Sequence, residues 1–233
     1  MNKIQKNDAL NEVVMLKSID NPYIVKYYDS FVENNILNII MEFCEKGDIS
    51  QLLKRQGSKL LQEAIIWKYF IELSNALEHL HSMKILHRDI KTINIFLTKD
   101  DHIRLGDLGV AKVLANTNNF AHTIVGTPYY LSPELCQEKP YNHKTDIWSL
   151  GCVLYEIATL KHPFDSNNQG ALVLKIIQGR YEKLPSLYSH DLQEIVDLCL
   201  CKDYKKRPSI FELLSNHSND LNRNTSNGSF IKH

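Results

Sequence analysis

Apolar residues recur at helical spacing near the start of the chain, at Ala9, Val13, Leu16 and Ile19, and the run stops at Asn21-Pro22, where proline biases its predecessor away from helix. One amphipathic helix is predicted there. Residues 24–31 and 36–43 are rich in β-branched and aromatic side chains and are joined by the polar Glu33-Asn34-Asn35, which reads as an antiparallel hairpin. Gly47-Asp48 breaks this pattern. Over residues 63–83 the positions Ile66, Tyr69, Phe70, Leu73, Ala76, Leu77 and Leu80 trace one wide apolar stripe, predicting a central, buried helix. Two short strand-like runs, 94–98 and 102–106, flank the turn Lys99-Asp100-Asp101. A polar stretch over 116–123 follows. Helical patterns return at 144–159, 170–178, 192–199 and 208–214, the last with Pro208 placed in its first turn. Beyond His217 there is too little apolar surface to offset the entropy of ordering, and a disordered polar tail is expected.

Composition narrows the class without changing the picture. A chain of 233 residues, 43% hydrophobic and 23% charged, can bury the core of a globular domain. Its 27 Lys+Arg balance 27 Asp+Glu, so no net field draws it to nucleic acid or to an anionic membrane surface. The five cysteines are dispersed and lack zinc spacing, which fits buried thiols in a reducing compartment. The start has no apolar core of signal-peptide length, and the apolar runs are too short to span a bilayer. A soluble, cytoplasmic chain with neither nucleic-acid nor membrane partners is expected.

The chemistry lies in the middle of the chain. His87-Arg88-Asp89-Ile90-Lys91-Thr92-Ile93-Asn94 sets a carboxylate, an ammonium and an amide in one tight loop just before a predicted strand. Asp107-Leu108-Gly109 adds a second carboxylate after the strand that follows. Phosphoryl transfer asks for such a set: a carboxylate beside the attacking hydroxyl, metal ligands, and a cation on the moving phosphate. An Asp-x-Gly triplet alone is ordinary turn chemistry, and its weight comes from its place behind the hairpin that follows Asp89.

In order and spacing, "HRDIKTINIF" and "GDLG" resemble the catalytic-loop and metal-binding signatures of protein kinases. The segments "NPYIVKYYD", "MEFCEKGDI", "VGTPYYLSPEL" and "KTDIWSLGCVLYE" are similar to the NIMA-related kinases, a Ser/Thr family, over about residues 9–217. The resemblance implies an α+β protein-kinase-like fold that uses ATP and Mg²⁺ and acts on protein substrates. It makes Asp89 the base, Lys91 the contact to the γ-phosphate, and Asn94 and Asp107 the metal ligands. It also makes Met41 the gatekeeper, Glu42 to Cys44 the hinge for adenine, Phe96 part of the adenine floor, and Asp48 a neighbour of the ribose. Glu12 resembles the glutamate of the regulatory helix, Thr123 an activating phosphorylation site that would pair with Arg88, and Thr127 a residue shaping the acceptor site. The resemblance gives Asp146, Trp148 and the pair Glu134 and Arg207 structural roles, while His143, His162 and His190 are expected to serve solvent or capping duties.

No Gly-rich loop and no strand of Val-Ala-x-Lys character are read ahead of Glu12. The expected division is therefore an incomplete N-lobe over 1–44, made of the regulatory helix and a two-stranded hairpin, a mainly helical C-lobe over 45–217, and a tail over 218–233. Such an N-lobe leaves one strand edge and one apolar helix stripe bare. Two functions stay open: an ATP-dependent protein Ser/Thr kinase, and a catalytically impaired fragment or pseudokinase that docks a partner kinase or scaffold at the bare surface. Retention of Asp89, Lys91, Asn94 and Asp107 favours a truncated kinase over an evolved pseudokinase, and the chain as it stands is expected to be a poor enzyme.

Overall fold

The computed structural model describes residues 13–34, 36–108, 112–113 and 128–216. Residues 13–18 form helix α1, with Val13 and Leu16 buried and Val14 exposed. The helix ends before Asn21, whose side-chain oxygen accepts the Tyr23 N–H at 2.8 Å. Strands β1 (Tyr27–Glu33) and β2 (Ile36–Met41) pair antiparallel, with Glu33 opposite Ile36 and Tyr27 opposite Met41. Asn34, at φ +50°, takes the left-handed turn conformation that asparagine tolerates.

Helix α2 (Ile49–Gln56) begins at Asp48, whose carboxylate accepts the Gln51 N–H at 2.9 Å, and closes at Gly57 with φ +62°. Helix α3 (Glu63–Ser82) buries the predicted stripe in full. Then come β3 (Ile85–Leu86), a 3₁₀ turn over Thr92–Asn94, β4 (Ile95–Leu97) and β5 (Ile103–Leu105), the last two paired antiparallel. β6 (Lys112–Val113) pairs with β3.

The remaining described chain is helical: α4 (Pro133–Cys136), α5 (His143–Thr159), α6 (Gln169–Gln178), α7 (His190–Cys199) and α8 (Ile210–Asn216). Helix α5 is buried along most of its length and packs on α3 and α7. Its approach to α7 needs Gly151, because a β-carbon there would lie 2.6 Å from Cys199 Cβ. The ring of Trp148 stacks on Phe164 at 5.4 Å, and the Arg207 guanidinium lies 5.0 Å from the Trp148 ring.

The small mixed part is tied to the large helical part through its connecting segment. The Val25 N–H donates to Leu105 O at 3.0 Å and the Leu105 N–H to Tyr23 O at 2.8 Å, so residues 23–25 lie along β5.

This is the expected α+β arrangement, with some differences in detail. Helix α8 starts two residues after Pro208, because Ser209 and Glu212 cap it reciprocally: the Glu212 carboxylate accepts the Ser209 N–H and the Ser209 hydroxyl accepts the Glu212 N–H. Three of the five cysteines, Cys44, Cys136 and Cys201, are only partly buried. Among the described residues the β2 strand pairs with β1 alone, and Phe31, Val32, Ile36, Ile40, Met41 and Phe43 are exposed.

Candidate active site

One buried carboxylate shapes the loop between β3 and the 3₁₀ turn. Asp146, on the first turn of α5, accepts the backbone N–H of His87 at 3.1 Å and of Arg88 at 3.0 Å. The Tyr141 hydroxyl donates to it at 2.5 Å, and His81 Nε2 lies 2.8 Å from it. Burial alone would raise its pKa, yet these partners, His81 foremost, hold the carboxyl below the usual aspartate value. The anchored backbone is unusual, since Arg88 sits at φ +73°, in the left-handed region.

His87 joins this loop to the next. Its Nδ1 lies 3.3 Å from the Asp89 N–H, which donates to it, leaving Nε2 as the protonated nitrogen that donates to Gly106 O at 3.0 Å. The Gly106 N–H in turn donates to Asn94 O at 2.9 Å. Asp107, the next residue, is thereby held beside the first loop.

On this frame the charged groups converge. Lys91 Nζ lies 2.7 Å from Asp89 Oδ2. The Asn94 side-chain amide donates to that same oxygen at 2.9 Å and to the Asp89 backbone carbonyl at 2.8 Å. Asp89 Oδ1 and Asn94 Oδ1 have no hydrogen-bond partner among the described residues. Asp107 is exposed at φ +56°, and its carboxylate makes no ion pair with a described residue.

The residues assigned to the nucleotide side lie along the edge where the two parts meet. Met41 ends β2 and is exposed. The Glu42 N–H donates to Lys26 O at 2.8 Å, while its carboxylate receives Arg104 Nε at 2.9 Å. Cys44 is half-buried, and burial, reinforced by Glu42, pushes its thiol up to about 11, so it is a poor nucleophile. Asp48 faces Phe96 across an isolated bridge, and its carboxylate is taken by the N–H and side-chain amide of Gln51. Capping α2 is therefore what Asp48 does in this structure. The Phe96 ring lies over Gly106, where a β-carbon would come within 2.7 Å of it.

A second set of contacts holds the segment before α4. Glu134 and Arg207 are both buried, with Arg207 Nη1 2.8 Å and Nη2 3.2 Å from the Glu134 oxygens. Arg207 also donates to the carbonyls of Lys144 at 2.6 Å and Cys201 at 3.1 Å. Tyr130 reaches the other way, donating to Glu156 Oε2 at 2.5 Å.

Residues 1–218 match the family described as protein kinase domain. The chain belongs to the protein kinase family. This kinase is 49% identical to Nek5 of Mus musculus over 211 residues, covering 90% of this chain and 34% of that protein. It is 47% identical to mouse Nek1 over 214 residues, covering 92% of this chain and 18% of the relative, and 49% identical to the probable kinase nek3 of Dictyostelium discoideum over 216 residues, covering 90% and 19%. All are described as serine/threonine-protein kinases. The chain spans between 18% and 53% of the length of these and similar relatives.

Glu12, Thr123 and Thr127 of the kinase lie outside the described residues. Arg88 is half-buried with its guanidinium 5.4 Å from the Tyr141 ring, and its Nε finds no hydrogen-bond partner among the described residues. The resemblance-based readings of Asp146, Trp148, Glu134 and Arg207 as structural residues agree with their burial. His190 is exposed at the start of α7, as expected. His162 is different: its ring stacks on Tyr129 at 3.9 Å and an interplanar angle of 14°, so it packs against the substrate-side segment and serves neither solvent nor a cap. His143 lies half-buried edge-on to His81, one residue after the true cap, Asn142. His81, Tyr130 and Glu156 carried no sequence signal, because their partners lie 26 to 65 residues away.

Proposed function

We propose that the chain is an ATP-dependent kinase of NIMA-related type that phosphorylates Ser or Thr hydroxyls on proteins. What supports this reading most is the convergence of Asp89, Lys91 and Asn94 on one point, beside an Asp107 carboxylate with no ion-pair partner among the described residues. Asp89 Oδ1 is the oxygen left to accept the acceptor hydroxyl's proton, since Oδ2 is occupied by Lys91 and Asn94. Lys91, 2.7 Å from Asp89 Oδ2, supplies positive charge on the path of the phosphoryl group.

The residues present fit a bound Mg²⁺ with ATP. Among the described residues no cluster of three His, Cys, Asp or Glu forms an all-protein cage. The Asp107 carboxylate and the Asn94 amide oxygen, neither taken by a described residue, suit an ion that takes its other ligands from phosphates and water. When bound, Mg·ATP supplies the phosphoryl group and neutralises its charge. The backbone from Glu42 to Cys44 would hold adenine between Met41 and Phe96, near Asp48. Arg88 would receive a phosphate on Thr123, Thr127 would shape the acceptor site, and Glu12 would serve the regulatory helix.

The test is transfer of labelled phosphate from Mg·ATP to a generic Ser/Thr protein substrate, with Asp107→Asn as control. Incorporation abolished by that change supports the reading; a chain that binds Mg·ATP but transfers nothing refutes it. A second reading, a docking module for a partner kinase or scaffold, draws on the exposed apolar side chains of the β1–β2 hairpin. Failure to retain any kinase domain of the relatives on an immobilised chain would count against it.

A further inference from the structure

Thr92 opens the 3₁₀ turn three residues after Asp89 and two before Asn94, and it is buried. Its hydroxyl lies 3.1 Å from the Tyr130 phenol oxygen and 3.3 Å from Glu156 Oε1. Tyr130 has a single hydroxyl proton, and the 2.5 Å contact gives it to Glu156 Oε2. The Thr92 proton is therefore the one shared between the phenol oxygen and Oε1. Tyr130 is also held through its backbone, where its carbonyl accepts from Ser149 Oγ at 3.2 Å. Burial raises the pKa of both the Glu156 carboxyl and the Tyr130 phenol, as expected of groups withdrawn from water.

One hydroxyl thus joins three segments distant in sequence: the loop carrying Asp89 and Asn94, the Pro128–Ser132 stretch leading into α4, and α5. We propose that Thr92 is a positioning residue, whose hydroxyl fixes the Tyr130 segment against the Asp89 loop and so sets where the acceptor peptide lies. This rests on the kinase reading above. Both Glu156 oxygens take part in the same network, one toward Thr92 and one toward Tyr130.

The full chain carrying Thr92→Val, Thr92→Ser, Tyr130→Phe and the Val/Phe pair tests this. Thr92→Val is expected to raise the KM for a Ser peptide about tenfold, with the KM for ATP changed less than about twofold. Thr92→Ser restores the peptide KM to within about threefold, and the double variant loses less than the product of the two single losses, since both single variants cut the Thr92–Tyr130 contact. Additive losses, equal rises in both KM values, or failure of serine to rescue would overturn the proposal. If the unaltered chain transfers no phosphate, the kinase reading falls, and the proposal is decided by the same cycle in urea unfolding and in peptide binding by fluorescence anisotropy. Non-additive shifts then support the shared hydroxyl link, and additive ones remove it.

Discussion

Asp146 holds Arg88 in a left-handed backbone conformation by accepting its N–H at 3.0 Å, across 58 residues of sequence. A residue with a β-carbon rests there only because its surroundings over-determine it. Asp146→Ala removes the acceptor for two buried N–H groups, the Tyr141 hydroxyl and His81 together. The expected loss in urea unfolding is about 3–5 kcal/mol, the range for a broken buried charge network. A loss within experimental error of the unaltered chain would show that the loop holds its shape without this carboxylate.

Acid should weaken the fold through His87. Burial pushes its imidazole below the usual histidine value, against the pull of Asp146. The unfolded chain gains a proton near pH 6.5 that the folded chain does not, so this stability is present above that pH and is lost as the pH falls through it, by up to about 1.4 kcal/mol per pH unit. Glu156 acts in the opposite sense. Burial raises its pKa, so its contribution is present at low pH and is lost as the pH rises above the ordinary carboxyl value. Unfolding free energies measured downward from pH 6.5 through the ordinary carboxyl value of 4.5 should therefore fall more steeply toward acid for Glu156→Gln than for the unaltered chain. Parallel lines would contradict the assignment.

Asp89→Asn separates chemistry from folding. The side chain is about one-third exposed and pairs with an equally accessible Lys91, so its removal should shift the melting temperature little. Turnover should fall by about 10²–10⁴-fold, the usual worth of a general base. A large loss of stability with unchanged activity per folded molecule would place Asp89 in the scaffold instead.

Glu134→Ala leaves the Arg207 guanidinium buried and unpaired under the Trp148 ring. We expect about 3–5 kcal/mol of destabilisation, with Arg207→Met/Glu134→Leu recovering most of it, because removing both charges avoids the stranded ion. Denaturant midpoints of the single and paired variants decide this.

The long helices were legible because burial leaves a stripe: every predicted apolar position of α3 from Ile66 to Leu80 is buried. Helix α2 went unread although its signals are present, with Asp48 as cap, Ile49 and Leu53 four residues apart, and Gly57 as stop. Eight residues carry too few turns for periodicity to stand out. The convergence of Asp89, Lys91 and Asn94 was legible because all lie within one loop, so spacing fixes their proximity. Asp48 carries a local duty that the resemblance did not name, capping α2 through Gln51. The stack of His162 on Tyr129 and the Tyr130–Glu156 contact arise from helices folding back on one another, and no local pattern encodes them.

The bare side of the β1–β2 hairpin also governs how the protein behaves in a tube. With 27 positive and 27 negative side chains, copies in neutral buffer have no mutual repulsion, and Phe31, Ile36 and Ile40 give each a sticky landing place. An alkaline buffer, or Ile36→Lys with Ile40→Thr, should lower the light scattering of the protein as it is concentrated.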